Sequence, residues 1–237
     1  MTWTNKPRSA LIAEGVVIVA SILLAFGIDA WWDERREALD ERESIAQLTI
    51  DFRANEARLE TIRSVHEAAL DAAYEILARA GIGGKSQSSA TTAELAYISL
   101  RAWTYDPVLG GISSLIQSGR LGLLRNDSLR VAVAGWPDIV EDLNGDEWTE
   151  NRTTFERVGP YLISKGVMTD VLLAGGKLGR LDVASGSDLS ELLSDPVFLQ
   201  MISWRVNNLE NLLLEVQDVE DSIRLILKLL EDSVDTG

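Results

Sequence analysis

The sequence predicts an all-α protein: an N-terminal transmembrane helix that continues into an elongated antiparallel helical bundle. Three observations predict it. Residues 15–28 carry no charge and lie inside a longer apolar run, 10–32. Residues 33–80 contain neither proline nor glycine and repeat apolar residues every three or four positions. Residues 196–234 follow an Asp195-Pro196 start signal and carry one broad apolar face.

The run 10–32 is long enough to cross a bilayer, which takes roughly 20 mostly apolar helical residues for about 30 Å of hydrocarbon. Its two acids, Glu14 and Asp29, stand near opposite ends. A carboxylate there reaches headgroups and water rather than the costly bilayer centre. Trp31 and Trp32 sit where an interfacial aromatic belt belongs, and Trp3 is a candidate for the other interface. Lys6 and Arg8 precede the span, while the mixed run Asp33-Glu34-Arg35-Arg36 follows it. That basic bias directs the tail, 1–9, to the cytoplasm and the body, 33–237, to the opposite side. A cleaved secretory signal fits less well, because Ile28 stands where a cleavage site after Ala30 wants a small residue.

In 33–80 the heptad pattern places Ile45, Phe52, Leu59, His66 and Ala73 at a, and Leu48, Asn55, Ile62, Ala69 and Ile76 at d. This is a bundle or coiled-coil seam with two polar layers, Asn55 and His66. Glycines from Gly81 onward mark a turn. Thr91 and Glu94 form a capping box for a short helix ending near Trp103. A loop follows from Tyr105, then a helical turn or two over 112–118 closed by Gly119. Asn126 or Asp127 caps a long helix, 127–165, in which Pro137 is expected to introduce a kink or a division. Residues 166–187 read as irregular, with one isolated strand-like run at 167–173. The last helix has the seam Ile202, Val206, Leu209, Leu213, Val216, Ile223, Leu227, Leu230 and Val234, broken at Glu220. A second stripe of Phe198, Leu212, Val219 and Ile226 widens the face, which favours packing in a bundle.

Composition narrows the function classes. The chain has 22 basic and 37 acidic residues, a net charge of −15. Lys6 and Arg8 cancel Glu14 and Asp29 in the first 32 residues, so the excess belongs to the body. Such a surface repels nucleic acid and anionic headgroups, so no nucleic-acid partner is expected. There is no cysteine, which removes disulfides, thiolate nucleophiles and Cys-ligated metals. The single histidine, His66, lacks the Glu-x-x-His context of a di-iron bundle, because Arg63 stands three residues before it. Neither a metal nor another cofactor is expected, and no acid pair or P-loop spacing points to catalysis.

Two sets of residues stand out. Glu14, Asp29, Trp31 and Trp32 are candidates for the membrane anchor and for contact with a partner helix. Tyr105, Arg120, Arg125, Asn126 and Arg130 form a candidate anion or ligand site, since arginines beside a helix N-terminus can hold a carboxylate or phosphate. The competing reading makes Asn126 a cap and pairs the arginines with nearby acids.

The segment from Glu14-Gly-Val-Val-Ile-Val to Phe26-Gly-Ile-Asp-Ala-Trp-Trp-Asp-Glu-Arg-Arg resembles the N-terminus of a bacterial family of uncharacterised single-pass membrane proteins, known only as a domain of unknown function. Tyr105, Gly111, Leu115, Ser118-Gly119-Arg120-Leu121, Leu124, Asn126-Asp127, Leu129-Arg130 and Trp136 extend the likeness. Trp32 stands where the family usually has Asn, and Gly27 where it has Gln. The resemblance implies a single-pass anchor in the bacterial inner membrane and a helical body, and implies no activity. The expected function is a non-enzymatic scaffold, assembly factor or accessory subunit of a membrane complex. Its partners would be the lipid bilayer and another membrane protein or a second copy. The alternative is a ligand-sensing module that signals through a partner.

Overall fold

The computed structural model describes residues 8–180 and 189–235. Trp3 and Lys6 therefore lie outside the described residues. The described residues form seven α-helices and no strand. Helix α1, Arg8–Arg79, runs unbroken for 72 residues, about 110 Å at ~1.5 Å per residue. Span and first bundle helix are thus one element, as expected where no proline or glycine interrupts the exit from the apolar run.

Helix α7, Pro196–Asp235, lies antiparallel to α1. Arg53 meets Glu231, Arg63 meets Glu220 and Tyr74 meets Glu210, so a step up α1 is a step down α7. Between them the chain returns along α1 through α2, Thr92–Ser99, and α3, Gly110–Gln117. Asn55 holds Val108, Asp51 holds Gly111, and Asp40 meets Arg120, which traces this descent. Helix α4, Asp127–Thr153, then climbs beside α7, with Asn126 near Ser233 at its start and Thr153 near Asn208 at its end. The result is an up-down-up-down bundle whose second member is broken into short helices.

Several expected boundaries hold. The Thr91 and Glu94 side chains make both bonds of the capping box, and Gly119 takes the left-handed conformation at φ +69°. Others shift. Helix α2 ends at Ser99, short of Trp103. Helix α4 passes through Pro137 without division, because Val133, Trp136 and Val140 on the same face are buried and hold the turn together. Its continuation is instead a π-helical turn, Thr154–Val158, and then α5, Gly159–Ser164. The strand-like run 167–173 is helix α6, Met168–Ala174. With no strand beside it, that run satisfies its backbone groups only by coiling on itself. Residues 181–188 lie outside the described residues.

All ten heptad positions of α1 from Ile45 to Ile76 are buried, so that seam packs within the chain. On α7 the buried path differs from the expected one: Leu213 is only partly buried and Val234, beyond the end of the bundle, is exposed. The true path is Phe198, Ile202, Arg205, Leu209, Leu212, Val216, Val219, Ile223, Ile226 and Leu230, an unbroken 4–3 alternation of buried residues. On α4 the same alternation runs Leu129, Val133, Trp136, Val140, Leu143, Glu147 and Glu150, and it continues to Thr154 in the π-helical turn. The apolar core is divided in two. One cluster joins Ile45–Ala69 of α1 with Leu129–Leu143 and Leu209–Leu230. The other joins Ala72–Leu77 with α2, Val158, Leu162 and Phe198–Val206.

Candidate functional site

The first candidate is the bare stretch of α1. One helix here is long and apolar enough to cross a membrane, with a mean hydropathy of 1.8 over its best window and none of that window buried. Val16, Leu23, Leu24 and Phe26 are all more than 60% exposed, and from Val16 onward the first buried residue of α1 is Ile45. Glu14 and Asp29 are exposed on this rod. Trp31 and Trp32 stack edge to face with centroids 5.2 Å apart, and the Arg35 guanidinium lies 5.9 Å from the Trp31 ring. Such a tryptophan–arginine grouping is amphipathic, with an apolar body and a charged tip. Ser21 returns its hydroxyl to the Val17 carbonyl at 2.8 Å, which leaves the apolar surface without an unsatisfied donor there.

The Tyr105–Arg130 residues do not converge on one point. Tyr105 is buried in the larger cluster, its hydroxyl 3.4 Å from the Asn55 carbonyl, and burial pushes that hydroxyl's pKa up. Arg120 pairs with Asp40, Arg125 with Glu41 at 3.2 Å, and Arg130 with Asp127. The Arg130 guanidinium also donates to the Leu124 carbonyl at 3.0 Å. Asn126 accepts from the Leu129 N–H at 3.1 Å, the bond of an N-cap. The geometry therefore uses Tyr105, Arg120 and Arg125 to fasten the descending segment to α1, while Asn126 and Arg130 cap and brace the start of α4. Asn55 reinforces that fastening. It accepts from the Val108 N–H at 2.6 Å and donates back to the Val108 carbonyl at 3.0 Å. Gly111 donates to Asp51 at 2.9 Å, and a Cβ on Gly111 would stand 2.6 Å from that carboxylate oxygen. Only glycine lets the backbone approach so closely.

A third site has no counterpart in the sequence reading, apart from His66. Where the core divides, α1, α4 and α7 contribute buried polar side chains and the descending segment contributes backbone groups. Arg205 is fully buried, pairs with Glu150, and donates to Thr154 and to the Ser99 carbonyl. It also donates to the Arg101 carbonyl at 2.9 Å. One guanidinium thus binds α2, the loop after it, α4 and the π-helical turn to α7. Burial pulls the Arg205 pKa down and Glu150 pushes it back up. Burial pushes the Glu150 carboxyl up and Arg205 opposes it. Beside this pair, Glu147 accepts from the Tyr105 N–H with both oxygens, at 2.9 and 3.0 Å. His66 is 1% exposed, with Nε2 4.0 Å from Glu147 and no hydrogen-bond partner for either ring nitrogen.

Arg205, Glu147 and Glu150 were legible in one respect only: each occupies a core position of the 4–3 alternation on its helix. Among the described residues no group of three His, Cys, Asp or Glu side chains is arranged to hold a metal ion. Comparison of the chain with protein-family models, curated proteins and solved structures finds no match in any of the three.

Proposed function

We propose that the chain is a non-enzymatic, single-pass membrane-anchored bundle protein that serves as a scaffold, assembly factor or accessory subunit of a membrane complex. The observation that carries this reading is the continuity of α1, whose apolar half stands bare while its other half is built into the bundle. The heptad seam is occupied within the chain, which leaves the apolar stretch of α1 from Val16 to Trp32 as a broad exposed surface among the described residues. Lipid covers most of it. In this reading the bilayer is bacterial and cytoplasmic, the N-terminal tail is inside and the acidic bundle projects outward, in keeping with the family that the N-terminus resembles. Glu14 is the proposed contact with a second membrane helix, because a carboxylate in a span is stabilised by a basic or hydrogen-bonding partner.

The test is purification of the tagged chain from its native membrane in mild detergent, with mass spectrometry of what remains bound. A stoichiometric membrane protein, lost in Glu14→Gln, is the expected result. A chain recovered alone would refute the accessory-subunit reading.

A further inference from the structure

One face of α1 stays open above the span as well as within it. Helix α7 covers one flank of α1 through Arg53 and Arg63, and the descending segment covers the other through Asp40 and Asp51. Between these flanks runs an apolar line of Trp32, Leu39, Ala46 and Ile50, all exposed, with Trp32, Leu39 and Ile50 each more than half exposed. Trp32 and Ile50 stand 18 residues apart, five turns at about 3.6 residues each, so the line is straight. Downward, Ile28, Ala25 and Ser21 carry it into the apolar span. Upward it borders a groove of about 660 Å³ between α1 and α3, walled by Ala46, Ile50, Gly110, Ser114 and Ser118. Small walls leave room there for the side chains of an incoming helix. An exposed apolar strip rimmed by charge marks an interaction surface.

The charges beside the line say what fits it. In a heptad frame of its own, Trp32, Leu39 and Ala46 take position d and Ile50 takes a. Arg35 and Arg42 then fall at g, on one side, and Asp33 and Asp40 at e, on the other. Two copies set parallel bring the basic side of each against the acidic side of the other. Arg35 of one copy meets Asp40 of the second, five residues further on. Asp40 already holds Arg120, and a carboxylate has lone pairs for a second arginine. The pattern is complementary to itself, as a two-fold interface requires. Arg36 and Glu43 take the other a positions. Their stems lie along the seam with the charges in water, which costs affinity and fixes register.

We propose that this open face of α1 is the contact between two copies of the chain, set parallel in one bilayer, with Arg35 of each paired to Asp40 of the other. The pairing rests on α1 being a membrane span, as proposed above, because a shared bilayer sets both copies parallel.

The chain has no cysteine, so an introduced thiol is the only one it carries. Full-length Leu39→Cys, Ala46→Cys and Ile50→Cys, oxidised in washed native membranes, are expected to give a disulfide-linked species of twice the 26.0 kDa chain mass. A disulfide needs Cα atoms within about 7 Å, so Glu34→Cys, exposed on the far side of α1, is expected to stay unlinked. Arg35→Glu in the Leu39→Cys chain turns two attractions into repulsions and is expected to cut the linked fraction about threefold or more. No link at Leu39→Cys, or an equal one at Glu34→Cys, overturns the proposal. A link to a protein of another mass, or a linked fraction unmoved by Arg35→Glu, overturns it as well. An alkaline carbonate wash of the same membranes separates the two readings. A chain retained but unlinked sinks the pairing alone, whereas a chain washed off sinks the anchor and the pairing together.

Discussion

Removing Arg205 is the sharpest single perturbation available. Arg205→Met keeps the length and the apolar stem of the side chain but deletes every donor. Glu150 then loses its partner, and the carbonyls of Ser99 and Arg101 lose a charged donor. Breaking a buried ion pair from one side costs about 3–5 kcal/mol, because the abandoned charge stays in the interior. For a domain of about 150–250 residues, each kcal/mol lowers the melting temperature by about 2–4 °C. The expected fall is therefore about 6–20 °C, followed by far-ultraviolet circular dichroism in detergent. The second arm is Glu150→Leu, alone and with Arg205→Met. The double variant removes both charges, so it is expected to lose at least about 2 kcal/mol less than the two single losses added together. If Arg205→Met melts within about 2 °C of wild type, or if the losses simply add, the pair is not the buried tie described here.

Two further perturbations probe the distal end. The ring of Tyr97 lies directly against Gly175, where a Cβ would overlap it. Gly175→Ala is expected to force α2 and α6 apart and to cost about 1–3 kcal/mol in chemical denaturation. Asp195 caps α7 through the N–H groups of Val197 and Phe198, at 3.0 and 3.3 Å, and also binds Lys165 and Tyr161. Lys165 first, then Tyr161, hold its carboxyl well below the usual carboxylate range. Its stabilisation is thus complete above that range and is lost as pH falls through the depressed value. Melting temperature against pH is expected to fall less steeply below about pH 4 in Asp195→Asn than in wild type. Parallel profiles would assign the acid sensitivity to other carboxylates.

The parts of this fold that could be read from sequence are those fixed by local pattern. The α1 seam is a period of three and four carried by Leu48, Phe52, Leu59 and their neighbours, and all ten expected positions are buried. Caps at Thr91, Asn126 and Asp195 follow from side chains that reach their own backbone. What failed to show depends on distant partners. On α7 the reading stepped from Ile202 to Val206 and passed over Arg205, because a charge in an apolar stripe looks like a break. Glu150, 55 residues earlier, together with Thr154 and the Ser99 and Arg101 carbonyls, makes that position tenable. The acids on α4 were lost among the chain's 37. Likewise the arginines at 120 and 125 resemble an anion site until Asp40 and Glu41, about eighty residues upstream, are brought beside them.

The polar layer also decides how the bundle's stability is distributed. Above and below it the seams are aliphatic and aromatic except at Asn55, with Trp136 set edge-on to Phe52 at 5.1 Å. At the layer the same heptad positions are given to His66, Glu147, Glu150, Thr154 and Arg205. These contribute less apolar burial than the residues they replace, and some of their atoms lack partners, including His66 Nδ1 and Glu150 Oε2. Stability within a domain follows buried apolar contact, so the layer is where the two clusters part with least loss. The Arg205 donors oppose that parting with geometric specificity, since they are satisfied in one register of α7 against α2 and α4. From Trp32 to His66, α1 climbs about 50 Å at ~1.5 Å per residue without a break. The weakest level of the bundle and the apolar span therefore share one uninterrupted helix. A change of helix packing at His66 has no hinge in α1 at which to be absorbed before it reaches the span.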